Sequence, residues 1–142
     1  MSLLALASFL LAADVAPSPS PPALSSPVAV AALHPTAGSH VSGDARITAA
    51  GTNLVVTISL LGIFIPETQY PASVRAGRCT AANAPLTAAL HPVQMGASRS
   101  VLAGPTAAEL LHTPHSLRIM DATGTRLLWC GEIVAPGAPP PG

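Results

Sequence analysis

Residues 53–60 read Asn-Leu-Val-Val-Thr-Ile-Ser-Leu, and this stretch decides the fold class. The apolar side chains at 54, 56, 58 and 60 alternate with Val55, Thr57 and Ser59, and β-branched residues are abundant, which is typical of a half-buried strand. A similar run lies at 41–47, and Ala-Gly-Thr-Asn at 50–53 supplies a turn between the two. Together they predict a β-hairpin.

Short strands are also predicted along the rest of the chain, where Gly and Pro residues separate runs of strand-forming residues. They lie at 71–76, 86–91, 98–103, 115–121 and 126–134, and residues 107–112 fit one helical turn at most. Seven short strands without a long helix predict an all-β domain, either an antiparallel sandwich or a barrel.

The distribution of proline divides the chain. Six of the sixteen prolines precede Thr36 and four follow Val134. A Pro/Ser/Ala-rich segment has little to bury and is expected to stay extended or disordered. We therefore predict a linker at 17–36, a β-sandwich domain at 37–134 and a Pro-rich tail at 135–142.

Residues 3–13 are an apolar stretch that fits the core of a secretory signal and is too short to span a bilayer as a helix. It predicts a signal peptide at 1–16 and a secreted or periplasmic location, although the usual basic residues before the apolar core are missing. The alternatives are a helical stub, or a start codon placed downstream of the true one.

The composition excludes several classes of protein. Six Arg, no Lys and six acidic residues give a formal net charge of zero, so binding to nucleic acid is not expected. No apolar run reaches the length of a membrane span. In an exported domain the two cysteines, Cys79 and Cys130, are expected to form a disulfide; the alternative is a pair of reduced thiols in a cytosolic protein.

Three segments carry a resemblance to a known family. They are Gly-Ile-Phe-Ile-Pro at 62–66, Tyr-Pro-Ala-Ser-Val-Arg-Ala-Gly-Arg-Cys at 70–79 and Thr-Gly-Thr-Arg-Leu-Leu-Trp-Cys-Gly-Glu-Ile at 123–133. In content and order they resemble copper/zinc superoxide dismutases and their small secreted bacterial relatives, the CHRD-like domains. The resemblance implies a Greek-key antiparallel β-sandwich in which one disulfide ties a loop to the last strand.

The residues at the family's metal-binding positions differ from the family pattern. Ser73 and Arg75 stand where copper-binding members carry a His-x-His pair, and Met120 stands where a further copper-binding His is expected. The loop after the first cysteine offers only His91 in place of a His-rich zinc loop. Arg126 is one residue early for the family's active-site Arg, and in a strand one residue changes the face on which a side chain lies.

These differences remove the expected copper chemistry. Redox-active copper needs several imidazoles in fixed geometry, and Arg has no lone pair to offer. We therefore predict no catalytic residue, no metal ligand and no cofactor, and a structural or binding module whose partner, if it has one, is an envelope or extracellular protein. Arg75 and Arg78 are expected either to attract a small anion or acidic partner, or to be solvated surface charges.

The alternative is a metalloprotein of the same fold. It would be a divergent copper/zinc superoxide dismutase, or a copper-binding protein that uses displaced side chains. The candidate ligands are His91, His112 and His115, or Met95 and Met120 with a histidine. Enzyme activity is thus left open and its absence favoured.

Overall fold

The computed structural model describes residues 26–36, 41–62 and 64–139. The predicted signal peptide at 1–16 lies outside these residues. Within them the chain forms eight strands and one short helix. The elements are β1 (Ala29–Pro35), β2 (Gly43–Ala50), β3 (Asn53–Leu60), β4 (Gln69–Ala76), β5 (Leu86–Gln94), β6 (Ala97–Leu102), α1 (Ala107–His112), β7 (His115–Met120) and β8 (Leu127–Val134).

The eight strands form a closed antiparallel barrel. Their order around it is β1-β2-β3-β6-β5-β4-β7-β8, and β8 pairs with β1 to close the ring. Because side chains alternate along each strand, one set fills the interior. The prediction of an all-β antiparallel domain is confirmed. The fully buried interior side chains are mostly Leu, Ile and Val, and the largest of them include Leu33, Ile47, Ile58, Leu117 and Ile119.

The predicted hairpin and helical turn are confirmed. Strands β2 and β3 pair from Gly43–Leu60 to Ala50–Asn53, in register throughout. Helix α1 begins after Thr106, whose hydroxyl accepts from the Glu109 N–H while the Glu109 carboxylate accepts from the Thr106 N–H. This capping box satisfies two N–H groups that a helix start leaves without intrahelical partners.

Strand β1 lies where the sequence predicted a linker. Ala29, Ala31 and Leu33 point into the barrel and are at most 1% exposed, and β1 pairs with both β2 and β8. The linker prediction for 17–36 is therefore wrong over residues 29–35, and the folded domain begins before residue 37. Pro35 does not prevent this, because it is the last residue of the strand.

The disulfide between Cys79 and Cys130 is confirmed. Cys79 lies in the loop between β4 and β5, residues 77–85, and Cys130 lies in the middle of β8. The Cys79 N–H also donates to the Glu132 carboxylate at 2.8 Å. The 77–85 loop is thereby attached to β8 by one covalent bond and one charge-assisted hydrogen bond.

Close packing explains the glycine that follows Cys130. A Cβ atom at Gly131 would lie 2.5 Å from the Ala32 carbonyl oxygen of β1. That distance is too short for any side chain, so Gly131 lets β8 approach β1 where the barrel closes.

Trp129 lies inside the barrel, where it is 4% exposed. Its neighbour Cys130 points to the opposite face of β8, because side chains alternate along a strand. The indole N–H donates to the Val41 carbonyl at 2.9 Å, and the ring contacts Tyr70 edge-on with centroids 5.7 Å apart. Phe64 completes this aromatic cluster.

Removal of the disulfide is expected to destabilise the barrel strongly. The bond joins residues 51 positions apart, and chain entropy for a loop of this size predicts a loss of about 4 kcal/mol in unfolding free energy. Urea denaturation of Cys79→Ser/Cys130→Ser checks this, with His115→Ala as the control for a smaller loss. Equal losses in the two variants would contradict the prediction, and so would alkylation of the native thiols before a reductant is added.

Candidate functional site

The strand register gathers polar side chains on the outside of the barrel. On β4 and β7 the interior positions are taken by Val74, Leu117 and Ile119, so the residues between them face outward. Ser73 pairs with Arg118, and Arg118 in turn pairs with Cys130. We call the resulting group the outer patch. It comprises Ser73, Arg75, Ser116, Arg118, Cys130 and Glu132.

The 77–85 loop covers the outer patch and buries Arg118, which is 7% exposed. The Nη2 group of Arg118 donates to the Arg78 carbonyl at 2.8 Å and to the Ala81 carbonyl at 2.7 Å, and its Nε donates to Ser116 Oγ at 3.2 Å. Arg75 Nη1 donates to the Ala84 carbonyl at 3.1 Å. The loop is thus held to the barrel by two guanidinium groups as well as by the disulfide.

Arg118 carries its charge without an acidic partner in contact. Within the described part of the chain, the one ion pair joins Arg46 to Asp44 on the other side of the barrel. Burial lowers the pKa of Arg118, the positive charge of Arg75 lowers it further, and Glu132 partly opposes both effects. The guanidinium nonetheless remains protonated, as arginine does throughout proteins.

Both guanidinium groups line one pocket at the end of the 77–85 loop, which we call the arginine pocket. Its floor is formed by β4 and β7, and its sides by the loop and by the turn between β7 and β8. The described lining residues are Arg75, Ala82, Asn83, Ala84, Arg118, Met120, Gly124, Thr125 and Leu127.

The predicted site residues are only partly brought together. Arg75 and Met120 line the arginine pocket, and Ser73 is buried beside it at 9% exposure. Arg78 is exposed and lines a different depression with Glu132, so Arg75 and Arg78 do not lie together at one site. Arg126 is exposed in the turn before β8 and is not among the described pocket residues.

Sequence reasoning missed Arg118. Its alternation with Leu117 and Ile119 does indicate an outward position, and an outward arginine is ordinarily solvated. The burial comes from a loop 37 to 40 residues earlier in the chain. No local pattern reports that contact.

The histidines do not form a metal site in the described part of the chain. His91 is exposed in β5 and His112 is exposed at the end of α1, while His115 is buried with its Nδ1 atom 2.9 Å from the Thr113 carbonyl oxygen. Among the described residues no three potential His, Cys, Asp or Glu ligands lie together. His40 lies outside the described ranges.

The turn between β7 and β8 is organised by Asp121. Its carboxylate accepts from Thr123 Oγ1 at 2.9 Å, the Thr125 N–H at 3.0 Å and the Arg126 N–H at 3.3 Å. Partial desolvation raises the pKa of Asp121, but the hydrogen bonds together outweigh it and lower the pKa below its ordinary value. The turn that carries Gly124 and Thr125 into the pocket wall is therefore set by an ionised side chain.

No protein-family model, curated protein or solved structure matches this chain. In the described residues no helix is long and apolar enough to cross a membrane. The site must therefore be interpreted from its own geometry.

Arg118→Lys is expected to loosen the 77–85 loop. Lysine keeps the charge but lacks the planar fork that reaches two carbonyls and the Ser116 hydroxyl together. Hydrogen bonds of this charged kind stabilise by about 2 kcal/mol, so urea denaturation should show a loss of that order and amide exchange in residues 78–84 should accelerate. The exposed Arg99→Lys is the matched control. Equal effects of the two substitutions would contradict a role in holding the loop.

Acid is expected to weaken the β7–β8 turn through Asp121. Because the fold lowers the pKa of this carboxyl below its ordinary 3.8, its stabilising contribution is complete above that value and is lost as the pH falls through the folded pKa. Asp121→Asn should therefore be less stable than the wild type near neutral pH, and the gap should close in strong acid. Thermal unfolding across this range tests it; a gap that persists in acid would argue against the assignment.

Proposed function

We propose that this chain is an exported barrel of superoxide dismutase-like Greek-key topology that serves as a binding module and has no metal-dependent redox activity. The strand order supports the topology, since β7-β4-β5-β6 has three consecutive strands and a fourth that returns beside the first. The disulfide between a loop and the last strand fits the same resemblance. The Cys130-Gly131 pair supports the same resemblance, since Gly131 lets β8 approach β1.

One observation carries the functional part of the proposal. The outward positions of β4 and β7, where the resemblance expects imidazoles, hold Ser73, Arg75 and Met120, and Arg118 lies between them. Guanidinium groups cannot coordinate a metal, and two of them in one pocket repel a copper or zinc ion. The same positions are suited to binding an anionic or hydrogen-bonding partner.

The location is proposed as secreted or periplasmic. A structural disulfide persists in oxidising compartments and is rare where thiols are kept reduced. The apolar stretch at 3–13 fits a secretory signal. A macromolecular partner, if there is one, would then be an envelope or extracellular protein.

Metal loading tests the proposal against the metalloprotein alternative. We expect the purified full chain to retain no stoichiometric copper or zinc after incubation with both ions and dialysis against chelator, as measured by elemental mass spectrometry. Retention of one equivalent, or metal-dependent superoxide dismutation, would favour a divergent copper/zinc enzyme or copper-binding protein and overturn the proposal.

A gain-of-function variant serves as the positive control. Ser73→His/Arg75→His places two imidazoles two residues apart on the outward face of β4 and removes one guanidinium from the pocket. It should bind copper more tightly than the wild type. If the wild type already binds as tightly, its own residues form a site that the outer patch does not explain.

A further inference from the structure

The arginine pocket contains hydrogen-bond donors that no described residue accepts. Arg118 Nε donates to Ser116 and Nη2 donates to the two loop carbonyls, but the two N–H groups of Nη1 donate to none of the described residues. Arg75 donates from Nη1 to the Ala84 carbonyl, and within the described part of the chain its Nε and Nη2 groups have no acceptor. A guanidinium has five N–H donors in a planar fork, and both forks open onto the same pocket.

The charge of the pocket is also uncompensated from within. No carboxylate is among its described lining residues. The acidic member of the outer patch, Glu132, accepts from the Cys79 N–H and lines the depression that contains Arg78 instead. Asp121, in the turn beside the pocket, accepts from Thr123, Thr125 and Arg126. Burial and the charge of Arg75 both lower the pKa of Arg118, which indicates that the two guanidinium groups lie close enough to repel each other. An anion between them would relieve this repulsion.

The rest of the lining narrows the kind of anion. Met120, Leu127, Ala82 and Ala84 give apolar walls, and the exposed Asn83 amide stands at the rim. The pocket volume of about 630 Å³ lies within the range of small-molecule sites. An inorganic phosphate or sulfate would contact the guanidinium groups but not the apolar walls. An organic acid would contact the guanidinium groups with its carboxylate and the apolar walls with its hydrocarbon part.

We infer that the arginine pocket binds a small organic carboxylate. Its two oxygens accept from Arg118 Nη1 and from Arg75, and its short apolar part packs against Met120 and Leu127. The inference rests on the proposed function, because a metal in the outer patch would compete for the same space. Charge-assisted, bidentate hydrogen bonds of this kind are among the strongest that a protein makes to a carboxylate.

The test uses the full chain, stripped of metal by a chelator that is then removed by dialysis, and four probes: butyrate, acetate, inorganic phosphate and the neutral isostere butyramide. Calorimetry and amide chemical shifts should show butyrate binding more tightly than acetate or phosphate, no binding of butyramide, and weaker binding at high salt. The largest shifts should fall on the amides of Asn83, Gly124 and Thr125. Binding of phosphate as tight as butyrate, or equal binding of butyramide, would overturn the inference.

Two substitutions locate the site. Arg75→Gln removes one charge and up to two of the contacts, and should weaken butyrate binding roughly tenfold or more, by the usual strength of charged hydrogen bonds. Arg99→Gln makes the same change on an exposed arginine of β6, which lines a depression with Arg46, and should leave binding unchanged. Equal effects would place the anion on the open surface and refute the pocket. Arg75→Gln is preferred to substitution of Arg118, since Arg118 donates to two loop carbonyls and to Ser116, whereas Arg75 donates to one loop carbonyl.

The outcome is separable from the fate of the proposed function. If the chain binds neither metal nor butyrate, the carboxylate inference fails while the metal-free module stands. Stoichiometric metal binding refutes the proposed function whatever the titration shows. Butyrate binding that Arg75→Gln abolishes and Arg99→Gln leaves intact supports both.

Discussion

The bond between Cys79 and Cys130 is the constraint on which the outer side of this barrel depends. Residues 77–85, Gly-Arg-Cys-Thr-Ala-Ala-Asn-Ala-Pro, are mostly small, so this loop has little apolar surface with which to hold itself against a sheet. The disulfide fixes one point of that loop over β8, and the hydrogen bond from the Cys79 N–H to Glu132 fixes its direction. The two loop carbonyls that meet Arg118 lie on either side of this fixed point, on Arg78 and Ala81.

Arg118 and the loop stabilise each other. Burying an arginine is costly unless its N–H groups find acceptors, and exposed loop carbonyls that become buried are costly without donors. The two costs cancel when one hydrogen bond gives the arginine N–H an acceptor and the loop carbonyl a donor. Since the acceptors are neutral carbonyls rather than a carboxylate, the positive charge of Arg118 is not neutralised by this arrangement and remains directed at the pocket beside it.

Most of the strands could be predicted from the sequence because β2 to β8 alternate polar and apolar residues and are separated by Gly or Pro. Strand β1 could not, since its interior residues are mostly alanine and its surroundings are rich in proline, and small residues give no contrast against a linker. The disulfide followed from cysteine count and the expected compartment. Arg75 could be singled out from the sequence because it stands where the resemblance expects a histidine. Arg118, which lines the same pocket, could not be. The pairing of β4 with β7 and the path of the loop are long-range features that the strand pattern does not encode.

The two arginines of the arginine pocket do more than fail to supply metal ligands. A metal site needs lone pairs and negative or neutral groups around the cation, whereas this pocket presents two fixed positive charges. At an effective dielectric constant of 20, two unit charges about 4 Å apart interact by roughly 4 kcal/mol. The repulsion between a divalent ion and each guanidinium at that distance would be twice as large. A single histidine placed in the outer patch would therefore not create a metal site while both arginines stay in place. The same two guanidinium groups that repel a cation are suited to binding a carboxylate. Metal binding and carboxylate binding therefore exclude each other at this pocket.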